Sequence, residues 1–259
     1  RYDRIASLDA QKDNGVSTIS IFSALKRSFP MKVDMMEKHP LGSQAFIPMK
    51  ETTFLAFVAP EGDKPDLNKI EAFIIWNLLG AASKRLGNID QAFISLKKVT
   101  ELNPEYADGH NNLGVILQDL GKFDESIDSF KTALSLKPKY SEAYNNLAIT
   151  YRKNRNLEKS VNSSNKAILL NPNYAEAYNN LAITFKEQGK TNEAIELFKK
   201  AISIKPNYAE AYYNMGILYQ EQNETKTATE LYMKSIQINP SYAEAYNNLA
   251  ITFKEQGKT

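Results

Sequence analysis

The sequence predicts a chain in two parts, α+β overall: an all-α solenoid of helix–turn–helix repeats over residues 73–259, preceded by a small antiparallel β segment over residues 1–72. Three observations carry this. Pro104, Pro138, Pro172, Pro206 and Pro240 stand 34 residues apart, and a fixed period of that length marks stacked repeats rather than one globular core. Around those prolines, apolar residues recur at the 3- and 4-residue spacing of a helix with one buried stripe. Before residue 73 the period disappears, and short apolar or β-branched runs alternate with turn residues.

The repeats align without gaps as 73–106, 107–140, 141–174, 175–208 and 209–242, with a partial sixth at 243–259. The fourth place is aromatic or a ring: Trp76, His110, Tyr144, Tyr178, Tyr212, Tyr246. The seventh is apolar (Leu79, Leu113, Leu147, Leu181, Met215, Leu249) and the eighth small (Gly80, Gly114, Ala148, Ala182, Gly216, Ala250). These places define a first helix. A second helix carries a small residue (Ala92, Ser126, Ser160, Ala194, Ala228), then a bulky one (Leu96, Phe130, Phe198, Tyr232), then another small one (Val99, Ala133, Ala167, Ala201, Ser235). Small residues let helices approach closely, and bulky ones fill the space to the next repeat. Gly87, Gly121, Gly189 and Gly257 fall between the two helices, where a left-handed C-cap is wanted, and Arg155 and Asn223 replace glycine there. Each proline stops the second helix.

This pattern resembles the tetratricopeptide repeat family, which implies a right-handed superhelix whose first helices line a concave groove for proteins or extended peptides. Asn112, Asn146, Asn180, Asn214 and Asn248 occupy the sixth place of five successive units. An amide offers both a donor and an acceptor, so such a ladder can pair with the backbone of an extended peptide. Similar ladders occur in O-GlcNAc transferase, whose superhelix these repeats resemble. The alternative is that these amides bond within or between adjacent helices. The second place is acidic (Asp108, Glu142, Glu176, Glu210, Glu244), either a stripe for basic peptides or first-turn carboxylates that suit the helix dipole. The carboxylate clamp of chaperone-binding repeats needs Lys and Arg where acid and Asn stand here. His110 is expected to pack between helices.

The first part is read from Val16–Leu25, Met31–Met36, Gln44–Met49 and Thr52–Ala59, punctuated by Gly15, Pro30, Pro40, Gly42, Pro60 and Gly62. Asp66–Phe73 looks helical and runs into the first repeat without a flexible linker. The stretch Glu37-Lys38-His39-Pro40-Leu41-Gly42-Ser43-Gln44-Ala45-Phe46-Ile47-Pro48-Met49, with Phe57-Val58-Ala59-Pro60 after it, resembles the signature of ureidoglycolate lyase over residues 1–74. That resemblance implies a cupin-like β fold and cleavage of ureidoglycolate to glyoxylate and urea in allantoin catabolism, a branch of purine metabolism. The family's later half, with its Trp-His-His-Pro motif, is replaced here by the repeats, so the segment corresponds to half a barrel. An oligomer that completes the barrel between chains would restore the site. His39 is the candidate general acid/base, or a turn histidine bonding backbone. Ser43 and Gln44 can hydrogen-bond a ureido or carboxylate group, and Lys50 can neutralise a small acid. Each is equally an ordinary polar residue at a strand end.

A net charge of +2 with 24% charged residues suggests neither a nucleic-acid nor a membrane surface. With no cysteine and two histidines, thiol catalysis and Cys-ligated zinc are excluded and no metal site or cofactor is expected. No phosphate-binding glycine loop or nucleophile elbow is present. A cytoplasmic chain is expected, in which the glycosylation-type triplets at Asn162 and Asn223 are chance matches. Residues 174–191 and 242–259 are identical over 18 residues, the mark of recent duplication or of imperfect assembly, and both ends read as cuts through something longer. Three functions follow: a peptide-binding scaffold, a lyase with an appended interaction array, or a join of two incomplete genes.

Overall fold

The computed structural model describes residues 67–255 and 257, all helical or in turns between helices. The β segment expected over residues 1–72, and His39, Ser43, Gln44 and Lys50 within it, lie outside the described residues. Eleven helices are present among those described: α1 (Leu67–Arg85), α2 (Ile89–Leu102), α3 (Ala107–Asp119), α4 (Phe123–Leu136), α5 (Ser141–Lys153), α6 (Leu157–Leu170), α7 (Ala175–Glu187), α8 (Thr191–Ile204), α9 (Ala209–Glu221), α10 (Thr225–Ile238) and α11 (Ala243–Glu255). They divide into two compact units, one ending at Ile116 and the other beginning at Leu117.

The 34-residue period is written in the turns. Gly87, Gly121, Gly189 and Gly257 have φ between 66° and 76°, and Arg155 and Asn223 adopt the same left-handed conformation at 61° and 63°. Each described turn closes with a pair of backbone bonds. At the third repeat the amide of Arg155 reaches the Arg152 carbonyl at 2.9 Å, and that of Asn156 reaches Tyr151 at 2.8 Å. This is the Schellman end of a helix, and only a left-handed residue makes it. At the other end of each second helix, the residue before proline is forced out of the helical region. Asn103, Lys137, Asn171, Lys205 and Asn239 all have φ between −127° and −140°.

In the first unit α1 begins before the first repeat, as expected for residues 66–73. Its Ile70, Phe73 and Ile74 are buried against Val99 and Tyr106, with the Phe73 and Tyr106 rings edge to face at 5.2 Å. Leu79, the seventh-place residue of this repeat, is 37% exposed. His110 is half-buried and bonds the turn before its helix: its Nε2 lies 2.8 Å from the Pro104 carbonyl oxygen, which can only accept, so that nitrogen carries the proton.

In the second unit α5, α7 and α9 each pack on their own second helix and on the second helix before, α11 packs on α10, and α5, α7 and α9 also touch in series. The first helices therefore form one layer and the second helices another. The eighth place faces the bulky twenty-fourth. A Cβ added at Gly216 would stand 2.7 Å from the Tyr232 ring, and Tyr232 and Phe198 are fully buried. The third repeat departs from this rule. Ser164 stands where the others carry Leu, Phe or Tyr, and its buried Oγ has no hydrogen-bond partner.

Candidate peptide-binding row

The sixth-place asparagines project from the layer of first helices, and on the second unit their amides are tied to the helix before. Asn180 Nδ2 donates to Asn145 Oδ1 at 2.9 Å, and Asn214 Nδ2 to Asn179 Oδ1 at 3.4 Å. Asn248 Nδ2 donates to Tyr213 Oη at 3.2 Å. The bonding between adjacent helices weighed as an alternative is thus present. All four asparagines of this unit, Asn146 included, stay half-buried. For Asn180, Asn214 and Asn248 one Nδ2–H is spent on the rung. The second amide hydrogen and Oδ1 are the groups a passing backbone would meet. Asn112 holds the equivalent, half-buried place on α3 in the first unit.

The fifth-place row escaped the sequence reading. Asn145 and Asn179 are buried beneath the sixth-place amides. A side-chain interaction between Asn145 and the Tyr174 phenol ties this rung inward as well as along the array. In the fifth repeat Tyr213 takes this place, and its ring lies 4.9 Å from that of Tyr242. The signal available was the Asn-Asn pair in α5 and α7. The first Asn of that pair sits off the visible apolar stripe, and its burial follows only once neighbouring first helices touch.

A second set of rungs runs in the opposite sense. Arg152 Nη1 donates to Glu187 at 2.9 Å, Lys186 pairs with Glu221 at 3.7 Å, and Gln220 Nε2 reaches Glu255 at 3.4 Å. Between the two ladders runs an aliphatic row, Ile149, Ile183 and Ile217, half-buried, with Ile251 at its end.

The acidic second place does more than cap helices. Lys205 Nζ donates to Glu176 at 2.6 Å, and Asn179 Nδ2 reaches Glu210 at 3.4 Å. Burial, then the charges of Glu142 and Glu176, push the Tyr174 phenol up to about 12. Burial, then Glu210, Tyr213 and Glu244, does the same for Tyr242, also to about 12. Tyr208 is raised by burial with Glu210 and Glu176. These phenols stay protonated at neutral pH. A separate shallow hollow between α8 and the end of α9, lined by Asn192, Ile195, Lys199, Tyr219 and Glu224, holds none of the asparagines. Among the described residues no cluster of His, Asp or Glu could hold a metal ion, and no helix is long and apolar enough to cross a membrane.

The stacked helix pairs, the left-handed turn residue and the 34-residue register define a helical-repeat solenoid. Tetratricopeptide-repeat family models match at 74–106, 107–140, 129–162, 164–196, 184–223, 209–242 and 231–259, so this part of the chain is a tetratricopeptide array. The ureidoglycolate lyase family model matches residues 1–80. Ureidoglycolate lyase of Pseudomonas paraeruginosa is 45% identical over 74 residues, which are 29% of this chain and 44% of the relative. The chain therefore spans under half the length of the curated relatives it matches. Among solved structures, MamA aligns with a TM-score of 0.54 and 28% identity over 67% of this chain and 95% of its own. YrrB, a tetratricopeptide protein described as having an unusual peptide-binding site, aligns at 0.51 and 22% identity over 70% of this chain and 91% of its own. At that identity the likeness to YrrB is one of fold.

Proposed function

We propose that the array is a protein-interaction scaffold that binds an extended peptide segment along the first helices of its second unit. The observation that carries this is the sixth-place row. Each rung from Asn180 to Asn248 fixes one amide hydrogen backward and so orients the rest of the amide outward at every repeat. A ligand backbone then meets groups already held in place, which lowers the entropy lost on binding. The neighbouring isoleucine row offers seats for apolar side chains, so the ligand class is an extended segment with apolar residues on one face.

The test is a panel of labelled extended peptides titrated into the 259-residue chain and into a variant carrying Asn146→Ala, Asn180→Ala and Asn214→Ala. Binding should weaken at least about tenfold, or about 1.4 kcal/mol. Arg152→Ala, which breaks a rung of the other ladder, should retain binding. Equal binding by the asparagine variant would remove the basis of the proposal.

A second reading is favoured by the 45% identity over the first 74 residues: ureidoglycolate lyase activity, with the second half of the barrel supplied by another chain. In that reading His39 is the acid/base group, Ser43 and Gln44 orient the substrate, and Lys50 neutralises its carboxylate. No cofactor is required of these residues, and the setting is cytoplasmic. Glyoxylate release from ureidoglycolate by the purified chain, lost on His39→Ala, supports it; a folded but inactive chain leaves the scaffold alone.

A further inference from the structure

A repeat array is held by each repeat's own packing and by its contacts with the repeats on either side, so its second helices can be compared place by place. α2, α4, α8 and α10 each bury a large side chain at the bulky place: Leu96, Phe130, Phe198 and Tyr232. α6 buries no large side chain at any place. Its buried residues are Ser160, Ser163, Ser164 and Ala167, and its leucines, valine and isoleucine are all half-buried or exposed.

Three further observations meet at the same helix. The apolar cluster built around Phe198 starts at Ala175 of α7 and takes no member from α6. The Ser164 hydroxyl, at the bulky place, is buried without a hydrogen-bond partner. The turn that leads into α6 holds Arg155, a side-chain-bearing residue, in the left-handed region at φ 61°. Each works against the docked form of this helix: less apolar area leaves water, a polar atom is desolvated with no bond in return, and a Cβ is crowded by its own backbone. The first helices on either side are nevertheless tied. Asn180 Nδ2 donates to Asn145 Oδ1 and Arg152 Nη1 to Glu187, both at 2.9 Å and both between α5 and α7.

We propose that the third repeat is a hinge built into the array. The first-helix layer holds at the α5–α7 rungs, the second-helix layer gives at α6, and α4 on one side changes its angle to α8 on the other. The bulky residue that wedges every other described second helix is the part left out here. Bending at this place changes the separation of Asn146 from Asn180 and leaves the spacing beyond α7 as it is. The hinge needs no ligand and stands independently of peptide binding along the asparagine row.

Native-state hydrogen exchange of the 259-residue chain, read by mass spectrometry, gives the first measure. Amides of α6 should exchange at least about tenfold faster than those of α4 and α8, through an opening smaller than global unfolding. Ser164→Phe rebuilds the pairing of Ala182 with Phe198, with Ala148 as the small partner, and should slow α6 at least about tenfold. If that ring does not fit, Ser164→Ala joined to Arg155→Gly removes the stranded hydroxyl and the crowded turn and carries the same expectation. Spin labels report the angle. The chain has no cysteine of its own, so Lys131→Cys in α4 and Lys199→Cys in α8, both exposed, can be labelled cleanly. Their distance distribution should be broad and should narrow in the Ser164 variant. α6 exchanging no faster than α4 and α8 overturns the proposal, because its small residues would then pack closely enough to replace the wedge. Fast exchange with a distance distribution that no variant alters overturns it too, leaving α6 as a helix that opens without bending the array.

Discussion

Replacing Thr184 by valine keeps the shape of the side chain and removes one oxygen. In the structure that oxygen is shared. Thr184 Oγ1 donates to the Asn180 carbonyl at 2.9 Å and lies 3.0 Å from Ser160 Oγ. Its hydrogen is therefore spent, and Ser160 is the donor between the two hydroxyls. Both residues are essentially inaccessible, Ser160 at 1% and Thr184 at 0%. Thr184→Val thus strands the Ser160 hydroxyl in the core, at a cost of about 1–3 kcal/mol. Ser160→Ala removes the donor and leaves Thr184 bonded to the carbonyl, costing about 0.5–1.5 kcal/mol. The double variant strands nothing and should fall within about 1 kcal/mol of the parent, a coupling of about 1–3 kcal/mol. The array supplies its own control, because the same two places one repeat on are Ala194 and Leu218, both fully buried and apolar. Urea unfolding followed by circular dichroism measures all four proteins. If the double variant is as destabilised as the two single changes together, the hydroxyl pair is not the coupled unit described here.

Other outcomes follow from single places. Arg155→Gly relieves a side chain held at φ 61° and should stabilise by about 0.5–1 kcal/mol in the same assay, the left-handed strain being offset in part by the freer unfolded chain. Ser164→Ala removes a buried hydroxyl that has no partner and should be neutral or stabilising by about 1 kcal/mol, where Ser→Ala at a bonded site destabilises. Phe198→Ala should cost about 3–5 kcal/mol, because a fully buried ring leaves a cavity between two repeats. Tyr174 and Tyr242 are pushed up to about 12. Their folded pKa lies above the unfolded value of about 10, so their contribution is complete below pH 10 and lost as pH rises towards 12. Ultraviolet titration at alkaline pH should show a tyrosine fraction ionising in that upper window, and Glu142→Gln should lower the Tyr174 share of it.

The period, the helix pairs and the turn residues were legible because each leaves a local mark. A proline, a glycine and an apolar stripe need no knowledge of the neighbouring repeat. Even the exceptions, Arg155 and Asn223, were placed by register alone. What sequence could not show was chemistry that depends on how one repeat meets the next. Ser126 and Ser160 were read as small packing residues, yet each also faces a threonine of the following repeat, Thr150 and Thr184. The buried fifth-place asparagines look polar and were passed over. The sixth-place row was found, but the amide hydrogens it spends on its neighbours appear only when the helices are side by side. Ser164 breaks the bulky place in a way the pattern recorded only as a gap.

Both sets of rungs have a direction. Asn180, Asn214 and Asn248 each give a hydrogen to the repeat behind, whereas Arg152 and Gln220 donate to the repeat ahead and Lys186 forms an ion pair with it. A ladder built this way is polar, like a chain of peptide dipoles, and the last described helix has a chemical sense. α11 carries Lys254 where a donor to the next unit stands and Asn247 where an acceptor stands. A helix pair joined beyond it finds matching groups only if it runs head to tail. Joined in reverse, it would set ammonium against amide and leave the carboxylate partners on the wrong edge. The array therefore encodes the polarity of its own growth in side chains that take no part in its apolar core.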